Sequence, residues 1–168
     1  MTREILKYAG IGLLIVLVAV AVILFLNRGA HVELKGAVQK VRIQGMADKS
    51  CVVIVDFRFV NPSDYPFVVR DANLLLEDID GNILKGMAVA AGDAAKLFDY
   101  YPLLGQQFNE VLVVRDRVEP KESLDRMIAA RFEVPDSTAD LRRRLIIRIE
   151  DVDGGVSEIT EDREGSGS

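Results

Sequence analysis

The sequence predicts an all-β domain, closed as a sandwich, behind a single N-terminal apolar helix. Three observations carry that expectation. Tyr8 to Leu26 is an uninterrupted apolar run without a charge. Beyond residue 30 the apolar residues recur in short stretches of four to eight, several alternating strictly with polar ones, as half-buried strands do. Asn-Pro, Asp-Gly and Gly-Gly pairs punctuate those stretches at turn positions.

The apolar run has the dimensions of a membrane span. Nineteen helical residues rise roughly 28 Å, close to the roughly 30 Å hydrocarbon core. Thirteen residues between Ile11 and Leu26 are Leu, Ile, Val or Phe, which favours insertion by roughly 4–8 kcal/mol. The exit, Asn27-Arg28-Gly29-Ala30, lacks the small-x-small pattern of a cleaved leader. The expected organisation is therefore a cytoplasmic tail and transmembrane anchor over residues 1–30, a β-sandwich over 31–160, and a disordered tail over 161–168 ending in Gly-Ser-Gly-Ser. Arg3 and Lys7 precede the run, while Arg28, Lys35, Lys40 and Arg42 follow it. Long domains translocate largely regardless of charge, so the short tail decides, and the domain is expected on the extracytoplasmic, periplasmic-type side.

Composition narrows the chemistry. A net charge of −5 argues against nucleic acid. One cysteine, Cys51, cannot form an internal disulfide and is expected as a small buried hydrophobe. His31 is the only histidine, and nothing beside it supports a nucleophile–base pair. Cys/His metal spacing and a glycine-rich phosphate loop are both missing from the sequence. Asp78, Asp80 and Asn82 carry oxygens of the kind calcium prefers, but an Asp-Gly hairpin accounts for them. No catalytic, cofactor, metal or small-molecule site is expected. Arg142, Arg143 and Arg144 form the one basic cluster, expected as a solvated strand lead-in.

Taken in order, Val32, Leu34 and Val38 share one parity and Val41 and Ile43 the other, which calls for a bulge near Gln39-Lys40 or two short strands. Cys51–Val60 is a strand whose second half places Phe57 and Phe59 inward and Asp56 and Arg58 outward. Asn61–Pro66 is a turn. The next strand, 67–79, points Val68, Ala72, Leu74 and Leu76 to one face, with Arg70 near its edge. Asp80-Gly81 turns the chain into a returning strand, Ile83–Met87. Residues 92–105 are expected to be irregular, with one helical turn capped by Asp93. Val111–Val114, 124–134 and 145–150 are further strands, with a helical turn from Asp136 to Leu141, capped by Asp136, between the last two. The final hairpin turns at Asp153-Gly154-Gly155.

One stretch resembles a known family. Phe57-Arg58-Phe59-Val60-Asn61-Pro62-Ser63-Asp64-Tyr65-Pro66-Phe67, then Leu74-Leu75-Leu76, then Asp80-Gly81-Asn82-Ile83-Leu84-Lys85-Gly86 is similar to the late-embryogenesis-abundant type 2 (water-stress and hypersensitive-response) domain. Val118-Glu119-Pro120-Lys121 matches that family's Pro-containing lead-in to a later strand. The resemblance covers about residues 32–134. It implies a seven-stranded immunoglobulin-like or fibronectin type III-like sandwich, often membrane-tethered and non-catalytic. The departure is residues 88–105, which are longer and more aromatic than the family pattern.

The expected activity is therefore binding. The lipid bilayer is the partner of Tyr8–Leu26. A protein or envelope partner would meet Phe98, Tyr100, Tyr101, Pro102, Leu103 and Leu104, unless these plug the open end of the sandwich. A stress-protective role and an accessory subunit of a larger membrane complex are the alternatives. An uncleaved anchor predicts that the full-length chain resists alkaline carbonate extraction and that its intact mass retains the first 26 residues. A mature chain starting downstream of Leu26 would refute it.

Overall fold

The computed structural model describes residues 12–22, 33–46 and 49–162. The chain divides into two compact units at His31/Val32. In the first, residues 12–22 form helix α1. Among the described residues no helix is long and apolar enough to cross a membrane. The remainder of the Tyr8–Leu26 run, and His31, lie outside the described residues.

The second unit is all-β, with two antiparallel sheets. The first contains β1 (Lys35–Met46), β2 (Ser50–Val60), β7 (Ser123–Phe132) and β5 (Met87–Ala88), in that spatial order. The second contains β4 (Ile83–Lys85), β3 (Phe67–Glu77), β8 (Arg144–Asp151) and β9 (Val156–Asp162), with β6 (Arg117–Val118) beside β3. Two helices interrupt them, α2 (Ala91–Tyr100) and α3 (Asp136–Asp140).

One core joins the two sheets. Val53, Val55, Phe57 and Phe59 of β2 and Ile128, Ala130 and Phe132 of β7 share it with Phe67, Val69, Leu74 and Leu76 of β3. Leu145, Ile147 and Ile149 of β8 and Ile159 of β9 complete it. Phe57 and Phe59 stack at 5.4 Å between ring centroids. The alternation that predicted an inward phase at Phe57 and Phe59 thus describes the real core. Cys51 is fully buried as expected. Burial, with the negative charges of Asp136 and Asp140 behind it, pushes its thiol up to about 11.

Two bulges keep apolar side chains inside. In β1 the register against β2 shifts between Val38 and Lys40, where the parity change demanded it. A second shift, between Val69 and Asp71, was not expected. It corrects the reading of β3. Phe67 and Val69 face the core before the bulge, and Leu74 and Leu76 face it afterwards. Val68 therefore does not share their face.

The returning strand also differs from expectation. Asp80-Gly81 does turn the chain, with Gly81 at φ 86°. Ile83–Met87 is not one strand, however. It breaks at Gly86, and β4 pairs with β3 whereas β5 pairs with β7 in the other sheet. The crossing requires the smallest residue, because a Cβ on Gly86 would lie 2.7 Å from both the Ala130 Cβ and the Phe132 ring. Val111–Val114 is likewise not a strand; only Val111 makes a bridge, parallel to Met127. β9 continues to Asp162, so Glu161 and Asp162 belong to the fold rather than to a tail. Arg142 is not solvated but buried, and forks onto Glu161 at 2.9–3.2 Å.

Gly86→Ala should destabilise the domain by about 1–3 kcal/mol through overpacking, measured as a fall in the urea midpoint at constant m-value. Because the folded protein holds the Cys51 proton more tightly than the unfolded chain does, stability should fall as pH rises from the ordinary thiol value of 9.0 through about 11. Cys51→Ala should flatten the pH dependence in that window.

Candidate functional site

The candidate site begins with a strand that has no solvent face over most of its length. Every residue of β2 from Ser50 to Phe57 is buried. Its inward side chains feed the core between the sheets, while Val52 and Ile54 point the other way. With Met127 and Ala129 of β7 they form a second apolar cluster on the outside of the first sheet. A cover must lie over it, and residues 89–111 supply that cover.

Residues 92–105 are largely helical rather than irregular. α2 runs ten residues from Ala91, and a short 3-10 turn, Pro102–Leu104, follows. Asp93 is not its cap. The N-cap is Ala90, without a side-chain bond, and Asp93 lies in the first turn where it pairs with Lys96 at 2.9 Å. Asp136 likewise sits inside α3, whose N-cap is Pro135. The four-residue rhythm of Ala94, Leu97, Phe98 and Tyr101 brings these side chains onto the second cluster.

The six candidate residues therefore separate into two groups. Phe98, Tyr101 and Leu104 pack against Val52, Ile54, Met127 and Ala129. Tyr100 and Leu103 turn outward, 77% and 91% exposed, and Pro102 between them is exposed as well. Tyr100 and Tyr101 meet edge-on at 4.9 Å, so the packed ring braces the exposed one. The residues cover a sheet face; they do not plug an end of the sandwich.

The sequence reading missed what fastens this cover. Asp56, expected in solvent, is 2% exposed, and Arg42, expected only as a flanking charge, is 8% exposed. Arg42 Nη2 donates to Asp56 Oδ2 at 2.6 Å. Its Nη1 donates to the carbonyls of Leu104 at 3.0 Å and Gln106 at 2.8 Å. The other Asp56 oxygen accepts from Asn109 Nδ2 at 2.9 Å. The Phe98 and Phe108 rings lie 4.8 and 5.5 Å from the guanidinium carbon, within cation–π range. One ion pair thus holds three points of the cover, at 104, 106 and 109. Arg42 Nε is left without a hydrogen-bond partner among the described residues. The missed signal was the offset in β1: the bulge at Gln39 places Lys40 opposite Asp56 and carries Arg42 to the same outer face.

Other candidate chemistry is taken up by structure. Asp78 accepts from the Asp80 and Asn82 amides and from Asn82 Nδ2. Those donors, the Asn82 side chain first, hold its carboxyl below the usual range. Among the described residues no group of three or more His, Cys, Asp or Glu is placed to hold a metal.

The sequence matches no family model and no curated protein. By structure the chain is similar to a conserved hypothetical protein from Bacillus anthracis, with a TM-score of 0.38, 12% identity, and coverage of 70% of this chain and 82% of that one. It is also similar to a Northeast Structural Genomics Consortium target, with a TM-score of 0.35, 9% identity, and coverage of 81% and 88%.

Arg42→Ala strands Asp56 in an apolar setting and should cost about 3–5 kcal/mol. Replacing the pair together, Arg42→Met with Asp56→Leu, should cost less than Arg42→Ala alone, as a double-mutant cycle in urea would show. Limited proteolysis should cut the Arg42→Ala variant first within residues 104–109.

Proposed function

We propose that the chain is a non-enzymatic, single-pass membrane-anchored module with an immunoglobulin-like or fibronectin type III-like sandwich, which binds a protein or envelope component. The observation that carries this reading is the cover over the first sheet. Arg42 holds its backbone at the Leu104 and Gln106 carbonyls and Asp56 holds the Asn109 side chain, while Tyr100 and Leu103 stand in solvent. Burying such side chains against a partner costs little ordering, because the backbone beneath them is already held. Aromatic anchors of this kind carry most of the energy in protein interfaces. The uncharged run Tyr8–Leu26 supports the anchor, and the short amino-terminal tail supports an extracytoplasmic domain.

The stress-protective reading, after the late-embryogenesis-abundant type 2 resemblance, is favoured by a separate observation. The Asn-Pro turn and the Glu119-Pro120 lead-in, which carry that resemblance, are bonded to each other. Asn61 is buried, its amide donates to the carbonyls of Tyr65 at 2.7 Å and Val118 at 3.1 Å, and its backbone exchanges hydrogen bonds with Lys121 and Glu122.

Affinity capture from mild detergent separates these readings. Tyr100→Ser with Leu103→Ser should lose the captured partner at least tenfold while leaving the urea midpoint unchanged. An identical capture profile from the double variant would defeat the proposed face. An osmotic or desiccation defect on deletion, with that profile unchanged, would favour the stress-protective reading.

A further inference from the structure

The end of the sandwich at which the chain enters β1 carries three apolar turn tips, and we propose that they rest in the headgroup layer of the bilayer that holds the anchor. This inference depends on the anchored reading of Tyr8–Leu26.

The three tips lie together. Lys35 pairs with Val60, and the Leu34 amide donates to Ser157 Oγ at 2.8 Å, which places the start of β1 beside the starts of β9 and of the 61–66 turn. Val69 receives the Arg115 amide at 2.7 Å and donates to the Asp116 carbonyl at 2.9 Å, while the Val152 amide donates to the Val68 carbonyl at 3.0 Å. The turns 61–66, 113–116 and 151–155 therefore cluster at one end. At their tips Tyr65, Val114 and Val152 are each more than half exposed.

Each tip is held rigidly. Tyr65 offers its carbonyl to both Asn61 Nδ2 and Ser63 Oγ. Val114 occupies the second position of a turn closed by the Asp116 amide on the Val113 carbonyl at 3.1 Å. That turn holds Arg115 at φ 74°, a conformation only glycine adopts freely. Val152 occupies the same position in the turn closed by the Gly154 amide on the Asp151 carbonyl, with Gly154 at φ 86°.

Chain length selects the occupant. Residues 27–34 separate the apolar run from β1, and a fully extended tether of that length spans about 30 Å. β1 has twelve residues, or about 37 Å of strand. The opposite end, where Ile79 and Leu141 are equally apolar and exposed, cannot be turned down to the lipid on so short a tether. The near end can. Its charges are mixed rather than basic, with Lys121 paired to Asp64 and Arg117 to Glu119. The contact is therefore with the interfacial layer through tyrosine and valine, not with anionic lipid through cations.

The test uses the full chain in phosphatidylcholine vesicles. Cys51 is buried with a thiol pushed up to about 11, so a single introduced cysteine takes the label. An environment-sensitive fluorophore is placed in turn at Tyr65→Cys, Val114→Cys, Val152→Cys, and at the distal controls Ile79→Cys and Leu141→Cys. A shallow nitroxide lipid should quench the three near-end labels at least twofold more than the controls, unchanged between low and high salt. Equal quenching at all five positions in a chain that floats with the vesicles would overturn the inference, as would quenching lost at high salt. A chain that fails to float would instead defeat the anchored reading.

Discussion

The fold depends on burying β2 on both faces. A central strand whose outer face remained in water would leave Val52 and Ile54 unsatisfied, and most of the unusual features of this molecule answer that constraint. Residues 89–111 cross back over the sheet to cover them. Asp56 is carried inside by its place on the same strand, and a buried carboxylate without a partner is costly. Arg42 supplies the partner from the neighbouring strand at 2.6 Å. The ion pair is thus a consequence of the cover and also its fastening.

This coupling explains why the exposed aromatic face is shaped rather than loose. Tyr101, Phe98 and Leu104 are held by apolar contact, and the backbone through 104 and 106 by the guanidinium. What remains outward, Tyr100 and Leu103, is presented on a fixed backbone. The sandwich is polarised in a second direction as well. Its turns at 113–116 and 151–155 are tied to the start of β3 by backbone bonds among 68–69, 115–116 and 152.

Local patterns were readable wherever a single face decided the outcome. The alternation at Phe57 and Phe59, the parity change at Gln39-Lys40 and the Asp-Gly turns at 80–81 and 153–154 each reflect an energy confined to a few neighbouring residues. The same logic misplaced Asp56, because alternation assumes that the second face meets water. It misplaced Val68, because a bulge at Arg70 reverses the phase without leaving a mark in hydropathy. It joined β4 to β5 across Gly86, since only the positions of Ala130 and Phe132 make that glycine a crossing point between sheets. Of the six candidate residues, the sequence did not separate the three that pack against the sheet from the three that stand free.

By itself the sequence determined an all-β domain, the inward phase of Phe57 and Phe59, the Asp-Gly turns and an uncharged apolar run near the amino terminus, because these follow from side-chain periodicity and backbone preference along the chain. Only the tertiary structure decided that the outer face of β2 is covered, that Arg42 meets Asp56 beneath the cover, and which aromatics remain outside. Those outcomes depend on which distant segments share a space, and burial by a segment fifty residues away leaves no period in the strand it buries.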